Sequence, residues 1–305
     1  MDRFESMSVL VAVVDAGSLS AASRRLRMPL ATVSRKVAEL ESHLDTRLLI
    51  RTTRKLSLTE AGESYVAACR RILEELGDAE RTAMGEYSAP KGELAITAPV
   101  VFGRLHVVPV VAEFLALFPE IDVRLVLIDR VAHLTEEHID VAVRIGELPD
   151  SSLVATRVGE IRQVICASPA YLAAHGAPLH PGEVAAHQCI SSEGIGSPRH
   201  WTFGAGPSQE AVPVRPRLVV NTAEAAVAAA TQGVGLTRVL SYQVADAVRS
   251  GALDLVLEAY EPPPWPVSVV HAGQAPLPLK LRAFLDFAAS RLRAQAAQWS
   301  CGRTT

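Results

Sequence analysis

The corner Arg27-Met28-Pro29 constrains this chain more than any other feature. It interrupts a helical pattern that starts again at once, and proline does not continue a helix through its interior. Before the corner, Ser18 can cap a short helix whose Ala21, Ala22 and Leu26 share one stripe. After it, a second helix is predicted from about Leu30 to Leu44, with Val33, Val37, Leu40 and Leu44 at helical spacing toward a core. Ala31, Thr32, Arg35, Ala38 and Glu39 fall on the opposite side, with Lys36 beside them. Small residues, hydroxyls and positive charge suit a helix that must approach a nucleic-acid groove. Leu49 to Leu58 then alternates like a strand pair with a basic tip at Arg51, Arg54 and Lys55. Together these pieces read as a winged helix-turn-helix.

Upstream, Asp2 to Ala16 is predicted to form a helix with Phe4, Met7, Val11 and Val14 on one stripe against Ala22 and Leu26, ended by Gly17. Downstream, Thr59 can cap a further helix, with Glu60 and Glu63 near its positive end. Tyr65, Cys69, Ile72, Leu76, Ala79 and Ala83 then step by 4, 3, 4, 3 and 4. Such a seam over about 25 residues runs roughly 37 Å. A rod of that length between compact units has little of its own protein to cover the seam, so a second copy is the expected partner. Cys69 falls within it as a small apolar filler.

Tyr87 to Gly92 has the composition of a hinge, and beyond it strands and helices alternate. Strands are predicted at 94–97, 123–127, 139–145, 164–166, 218–220 and 267–271. Helices are predicted over Leu105–Phe118, after Ser168-Pro169, over Thr222–Thr231, and at the end through Leu281, Phe284, Leu285, Ala288 and Leu292. That alternation implies an α/β body of mostly parallel sheets flanked by helices.

Charge separates the two halves. Residues 1–58 hold ten Lys/Arg against six Asp/Glu, a balance of +4 in a chain whose total is −3, leaving −7 for the rest. A basic head on an acidic body attracts phosphates locally. No uninterrupted apolar run approaches the roughly 18–20 residues of a membrane span. The opening MDRFESM has no signal core, which points to the cytoplasm. Cys69, Cys166, Cys189 and Cys301 lie far apart with no Cys-x-x-Cys pair, arguing against a disulfide framework or zinc cluster.

The runs AGSLSAASRRL, ATVSRKVAELESHLDTRLLIRTTRKLSLTEAG, TAPVVFGRLHVVP, DVAVRIGELPDSSLV and CASPAYLAAHG resemble the LysR-type transcriptional regulators, in the branch whose regulatory domain opens with an APxxFG pattern. The resemblance implies a winged helix-turn-helix over 1–58, a dimerising linker helix over 59–86, a hinge at 87–91 and an effector-binding regulatory domain over 92–305. It also implies a periplasmic-binding-protein-like fold, with lobe one at about 92–163 and 267–295 and lobe two at about 164–266. The active form would be a homodimer or homotetramer on promoter DNA, with RNA polymerase a further candidate partner and no cofactor beyond a small-molecule effector. Leu30 departs from the family, whose members often carry a polar residue there.

Arg35 and Thr32 are the candidates for major-groove bases, with Ala31 on the same face. Ser20, Ser34 and Lys36 are expected to fix the DNA backbone, and Arg51 and Arg54 to reach phosphates or a minor groove. For the effector, the ends of α/β strands single out Thr97, Pro99, Val100, Val101 and Phe102, then Arg144 and Gly146, then Asn221 and Thr222. Relatives often place a hydroxyl just after Pro99. Val100 and Val101 are apolar, which favours a less polar or aromatic compound. Tyr65, Cys69, Ile72, Leu76 and Ala79 are the dimerisation candidates.

Three rival readings remain. An enzyme would need a motif such as G-x-S-x-G or a phosphate loop, and neither occurs. His133 and His138 are spaced by five rather than the four that puts two imidazoles on one helical face. A solute receptor is opposed by the basic head, and a redox regulator would have to use Cys166 and Cys189.

Overall fold

The computed structural model describes residues 2–51, 56–83, 89–148, 153–192, 197, 199–273 and 277–299, and the chain divides into two units at Ser88/Ala89.

In the first unit, α1 (Arg3–Asp15), α2 (Leu19–Leu26) and α3 (Leu30–His43) precede a hairpin of β1 (Leu49–Arg51) and β2 (Leu56–Leu58), then α4 (Glu60–Ala83). The core is built from Val9, Leu10, Val13, Ala22, Val33, Val37, Leu40, Leu48, Leu49 and Val66. This corrects the stripe expected on α1. Ser6, Val9, Leu10 and Val13 face inward, while Phe4 is exposed and Met7, Val11 and Val14 are half-buried. Residues 9–14 are apolar without a break, so periodicity could not choose a face. Packing against α2, α3 and α4 chose it.

The second unit begins with β3 (Gly92–Ala98), then α5 (Val100–Phe102), a π-helical turn over Gly103–Val107, and α6 (Val108–Leu117). The helical run starts at Val100, five residues before the expected Leu105. Gly103 lets this turn pack closely on Leu127, since a Cβ there would lie 2.2 Å from that side chain. By length and apolarity Val100–Leu117 would suffice to cross a membrane, yet Phe102, Val107, Val110, Val111 and Phe114 are buried in the core here. There follow β4 (Ile121–Leu127), β5 (Val141–Ile145), β6 (Leu153–Ile161), β7 (Gln163–Ala167), α7 (Pro169–His175), β8 (Cys189–Ser192), β9 (His200–Phe203), β10 (Glu210–Pro213) and β11 (Pro216–Val220). The chain closes with α8 (Ala223–Thr231), β12 (Leu236–Leu240), α9 (Ser241–Arg249), β13 (Asp254–Val256), β14 (Trp265–Ala272), α10 (Leu279–Gln295) and a 3-10 turn, Ala296–Trp299.

Two five-stranded sheets result, ordered β4-β3-β5-β14-β6 and β11-β8-β12-β7-β13. Each has two parallel and two antiparallel neighbours, so the expectation of mostly parallel sheets is corrected. The antiparallel half arises because β7 and β14 are reached directly from the other lobe, without a helical crossover. Helices α6 and α10 cover the first sheet, and α8 and α9 cover one face of the second. Trp201, Phe203 and Val212 of the β9–β10 hairpin cover its other face.

Candidate nucleic-acid interface and ligand cleft

The reading head is held by short, satisfied bonds. Ser18 Oγ accepts from the Ala21 N–H at 3.1 Å and caps α2. Arg27 ends α2 in the left-handed conformation at φ 51°, and Ser23 Oγ donates to the Met28 carbonyl at 2.6 Å. The corner is therefore locked before Pro29 opens α3. Glu41 Oε1 accepts from the Leu48 and Leu49 N–H groups at 2.8 and 3.0 Å, which fastens the hairpin to α3. Thr59 Oγ1 accepts from the Gly62 N–H at 2.9 Å. Gly62 itself is required: a Cβ there would lie 2.0 Å from the Leu48 carbonyl oxygen.

On this frame Ala31 and Arg35 are exposed, and Thr32 and Ser34 are half-buried. Arg35 Nη1 donates to Glu39 Oε1 at 2.8 Å, an i,i+4 pair that leaves the guanidinium largely in water. Lys36 is placed otherwise than expected. Its side chain is 13% exposed and its ammonium donates to Glu5 Oε2, tying α3 to α1. Ser20 is exposed on α2. Arg51 ends β1, but its side chain, like all of Arg54 and Lys55, lies outside the described residues.

The seam on α4 is corrected at its first turns. Cys69 is fully buried and Tyr65 packs on the core of its own unit, beside Val66. Their stripe overlaps the one that α1 needs. Burial accordingly raises the Cys69 thiol and the Tyr65 phenol above their ordinary pKa values. Farther along, Ile72 is half-buried and Leu76 is exposed, whereas the Ala79 and Ala83 side chains lie outside the described residues.

In the second unit the helix starts at the strand ends meet across the two lobes. Arg104 Nη2 donates to Glu224 Oε1 at 2.8 Å, joining the run after β3 to the first turn of α8. Tyr242, opening α9, sits edge-on to Phe102 at 5.4 Å between ring centroids. Thr222 Oγ1 accepts from the Ala225 N–H at 3.3 Å and caps α8, and Thr222 and Asn221 are both exposed. Val100 is half-buried, with its N–H on Asp129 Oδ1 at 3.0 Å, and Pro99 beside it is half-buried too. Gly146 turns at φ 107° next to Trp265.

Four effector candidates are placed away from any opening. Thr97 is fully buried and donates its hydroxyl to the Val126 carbonyl at 2.8 Å. Val101 and Phe102 belong to the hydrophobic core, because a helix beginning at Val100 turns both inward. Arg144 is half-buried and donates to the Ala132 carbonyl at 2.8 Å, so it fastens a loop.

Sequence reasoning missed several polar groups near the lobe junction. Arg162, alone between β6 and β7, binds Glu261 and Glu258. Arg238 is buried on β12 with its guanidinium over Trp201 at 5.8 Å, and burial lowers it to about 10. With Gln163, Thr202, Phe203 and Glu261 it lines a cavity of about 10 Å³, room for one water. Ser241 Oγ donates to the Trp299 carbonyl at 2.7 Å. Only the charged residues among these could have been flagged, and nothing local marks them as neighbours.

The comparisons agree with this geometry. Residues 4–63 match the bacterial regulatory helix-turn-helix protein family of lysR type, and residues 88–293 match the LysR substrate binding domain. An HTH-type transcriptional regulator of Xanthomonas campestris pv. campestris is 38% identical over 94% of this chain and 85% of its own length. The regulator CrgA of Neisseria meningitidis is 33% identical; its solved structure superposes with a TM-score of 0.60 over 94% of this chain and 98% of that one. The full-length virulence activator AphB of Vibrio cholerae is 28% identical with a TM-score of 0.60, over 94% and 99%. A locked helix-turn-helix with a wing, followed by a two-lobed substrate-binding unit, thus belongs to the LysR family of DNA-binding transcriptional regulators.

Proposed function

We propose that two or four copies of this chain bind promoter DNA in the cytoplasm through paired α3 helices, and that a small molecule between the lobes changes that binding. The observation carrying the first part is the exposed face of α3, where Ala31, Thr32 and Arg35 stand clear of the core on a rigid corner. Paired heads roughly 34 Å apart suit an interrupted palindrome. On α4, Leu76 remains uncovered beyond the turns that serve its own unit, which supports pairing through that part of the helix. The effector would contact Pro99, Val100 and Gly146 on one lobe and the neutral polar Asn221 and Thr222 on the other, while the nearby carboxylates of Asp129 and Glu224 are taken by the Val100 N–H and by Arg104. That lining suits an uncharged or aromatic compound. The chain acts by binding, not by catalysis, and RNA polymerase is the downstream contact.

A ligand shifts an equilibrium only by its differential affinity for two arrangements, so closure of the lobes must alter how the heads are spaced. Fluorescence anisotropy with the chain's own upstream fragment is the test: affinity should fall steeply from 50 to 200 mM salt. Affinity that ignores salt, or equals that for random duplex, overturns the reading. Leu76→Asp should weaken self-association in sedimentation, while an unchanged assembly removes α4 from the interface.

The redox alternative is disfavoured by placement. Cys166 on β7 and Cys189 on β8 are separated by β12, so their Cα atoms lie roughly 9–10 Å apart. A disulfide needs less than about 7 Å. The two side chains also belong to different cores, on opposite faces of the sheet, and burial pushes Cys189 up to about 12.

A further inference from the structure

We infer that Leu30 reads a thymine methyl group, so that base preference at the entrance of α3 is set by an apolar contact rather than by a hydrogen bond. The inference rests on α3 being the groove helix.

Leu30 is the first residue of α3 and is 49% exposed. It continues the spacing of Val33, Val37 and Leu40, yet those three are buried and Leu30 is not among the residues packed on the core of its unit. A leucine exposed to this extent lies outside the buried core of its unit. It is held in place nonetheless, because the Ser23–Met28 bond and the left-handed Arg27 fix the corner one residue before Pro29.

Of the cations on α3, Lys36 is drawn aside by Glu5, while Arg35 stays exposed in its pair with Glu39, one turn beyond the tip. What the tip of α3 presents is the Leu30 isobutyl group, the exposed Ala31 methyl and the half-buried Thr32. Helix-turn-helix units meet base edges with the N-terminal residues of their second helix. In the major groove only thymine offers a methyl, and apolar side chains are its partners. The same leucine over a cytosine would face an amino donor it cannot satisfy, and over guanine two acceptors. One side chain thus favours A·T pairs in that register. Removing one buried methyl costs about fourfold in affinity per half-site, and about fifteenfold for a symmetric pair.

The experiment starts by enriching a duplex from a random pool with the full-length protein. Each thymine of that duplex is then replaced by uracil, which deletes only the methyl, and binding is read by anisotropy. One symmetry-related pair of positions should lose about tenfold or more. Leu30→Ala should bind the parent duplex correspondingly weaker and be indifferent to uracil at that pair. Leu30→Gln should enrich a different base there. If every uracil substitution is silent, or Leu30→Ala keeps the wild-type sensitivity, Leu30 does not read thymine. A protein that enriches no duplex overturns the groove-helix reading itself, while a salt-dependent, uracil-blind site removes only the inference about Leu30. Circular dichroism on both variants, expected unchanged because Leu30 lies off the core, separates lost contact from lost fold.

Discussion

Arg162 and Glu261 clasp each other across the two crossings of the lobe junction, Nε to Oε2 at 2.7 Å and Nη2 to Oε1 at 2.6 Å. Arg162 is the single residue between β6 and β7, and Glu261 lies on the return between β13 and β14. Their side chains are 19% and 15% exposed, so each has given up most of its water for the other. Arg162→Met should destabilise the second unit by about 3–5 kcal/mol, because it leaves a carboxylate poorly solvated. The double variant Arg162→Met/Glu261→Met should recover most of that loss. Urea titration of the four proteins completes the cycle, and a double-variant loss equal to the sum of the two single losses would mean that the pair contributes nothing beyond its surroundings.

Trp299 is fully buried against a glycine. Its ring sits where a Cβ on Gly159 would come within 2.4 Å, and it lies 5.1 Å from Phe102 between ring centroids. Trp299→Ala should cost about 3–5 kcal/mol in chemical unfolding. Gly159→Ala should also destabilise, by forcing the indole out, but should add little once Trp299→Ala is present. Strict additivity would show that the two positions are not coupled.

His106 carries the clearest pH signature. Burial lowers its imidazole from 6.5 to about 4, and its Nε2 is buried with no hydrogen-bond partner among the described residues. Because the folded value lies below the unfolded one, the unfolded chain binds the proton first as pH falls. Stability should therefore drop between pH 6.5 and 4 through this group. His106→Phe should show a shallower fall of Tm over that interval by calorimetry. Parallel profiles for the two proteins would assign the acid sensitivity elsewhere.

Cys69, Cys166 and Cys189 are all buried. In a Cys301→Ser background the folded protein should show no reaction with a soluble disulfide reagent over minutes. Three thiols should appear on unfolding in guanidinium. Rapid reaction of a native thiol would reopen the redox reading.

How much of this was legible beforehand differs between the two units. The corner at Arg27-Met28-Pro29, the cap at Ser18 and the stripe Val33, Val37 and Leu40 are local signals, and the structure bears them out. So is the helix opened by Ser168-Pro169, where Ser168 Oγ accepts from the Tyr171 N–H. The face of α1 was not legible, since an unbroken apolar run has no period to read. Nor was the fate of Cys69: heptad spacing records which residues share a side of a helix, but not whether its own domain or another chain covers them. Thr97 failed for a related reason, as a hydroxyl at a strand end can turn into the sheet or out of it. The Arg162–Glu261 clasp joins positions 99 residues apart, and no local pattern carries that information.

Because β14 runs between β5 and β6, the first sheet has its fourth strand only after the whole second sheet has been threaded. On a ribosome, where N-terminal segments emerge first, β3 to β6 must therefore wait with an open seam while β7 to β13 are still being made. The helix-turn-helix unit carries no such debt to later residues. A nascent chain can thus assemble its reader long before its sensor, and any stop between Ala272 and the hairpin at β9 yields a protein with a reader and no finished first lobe.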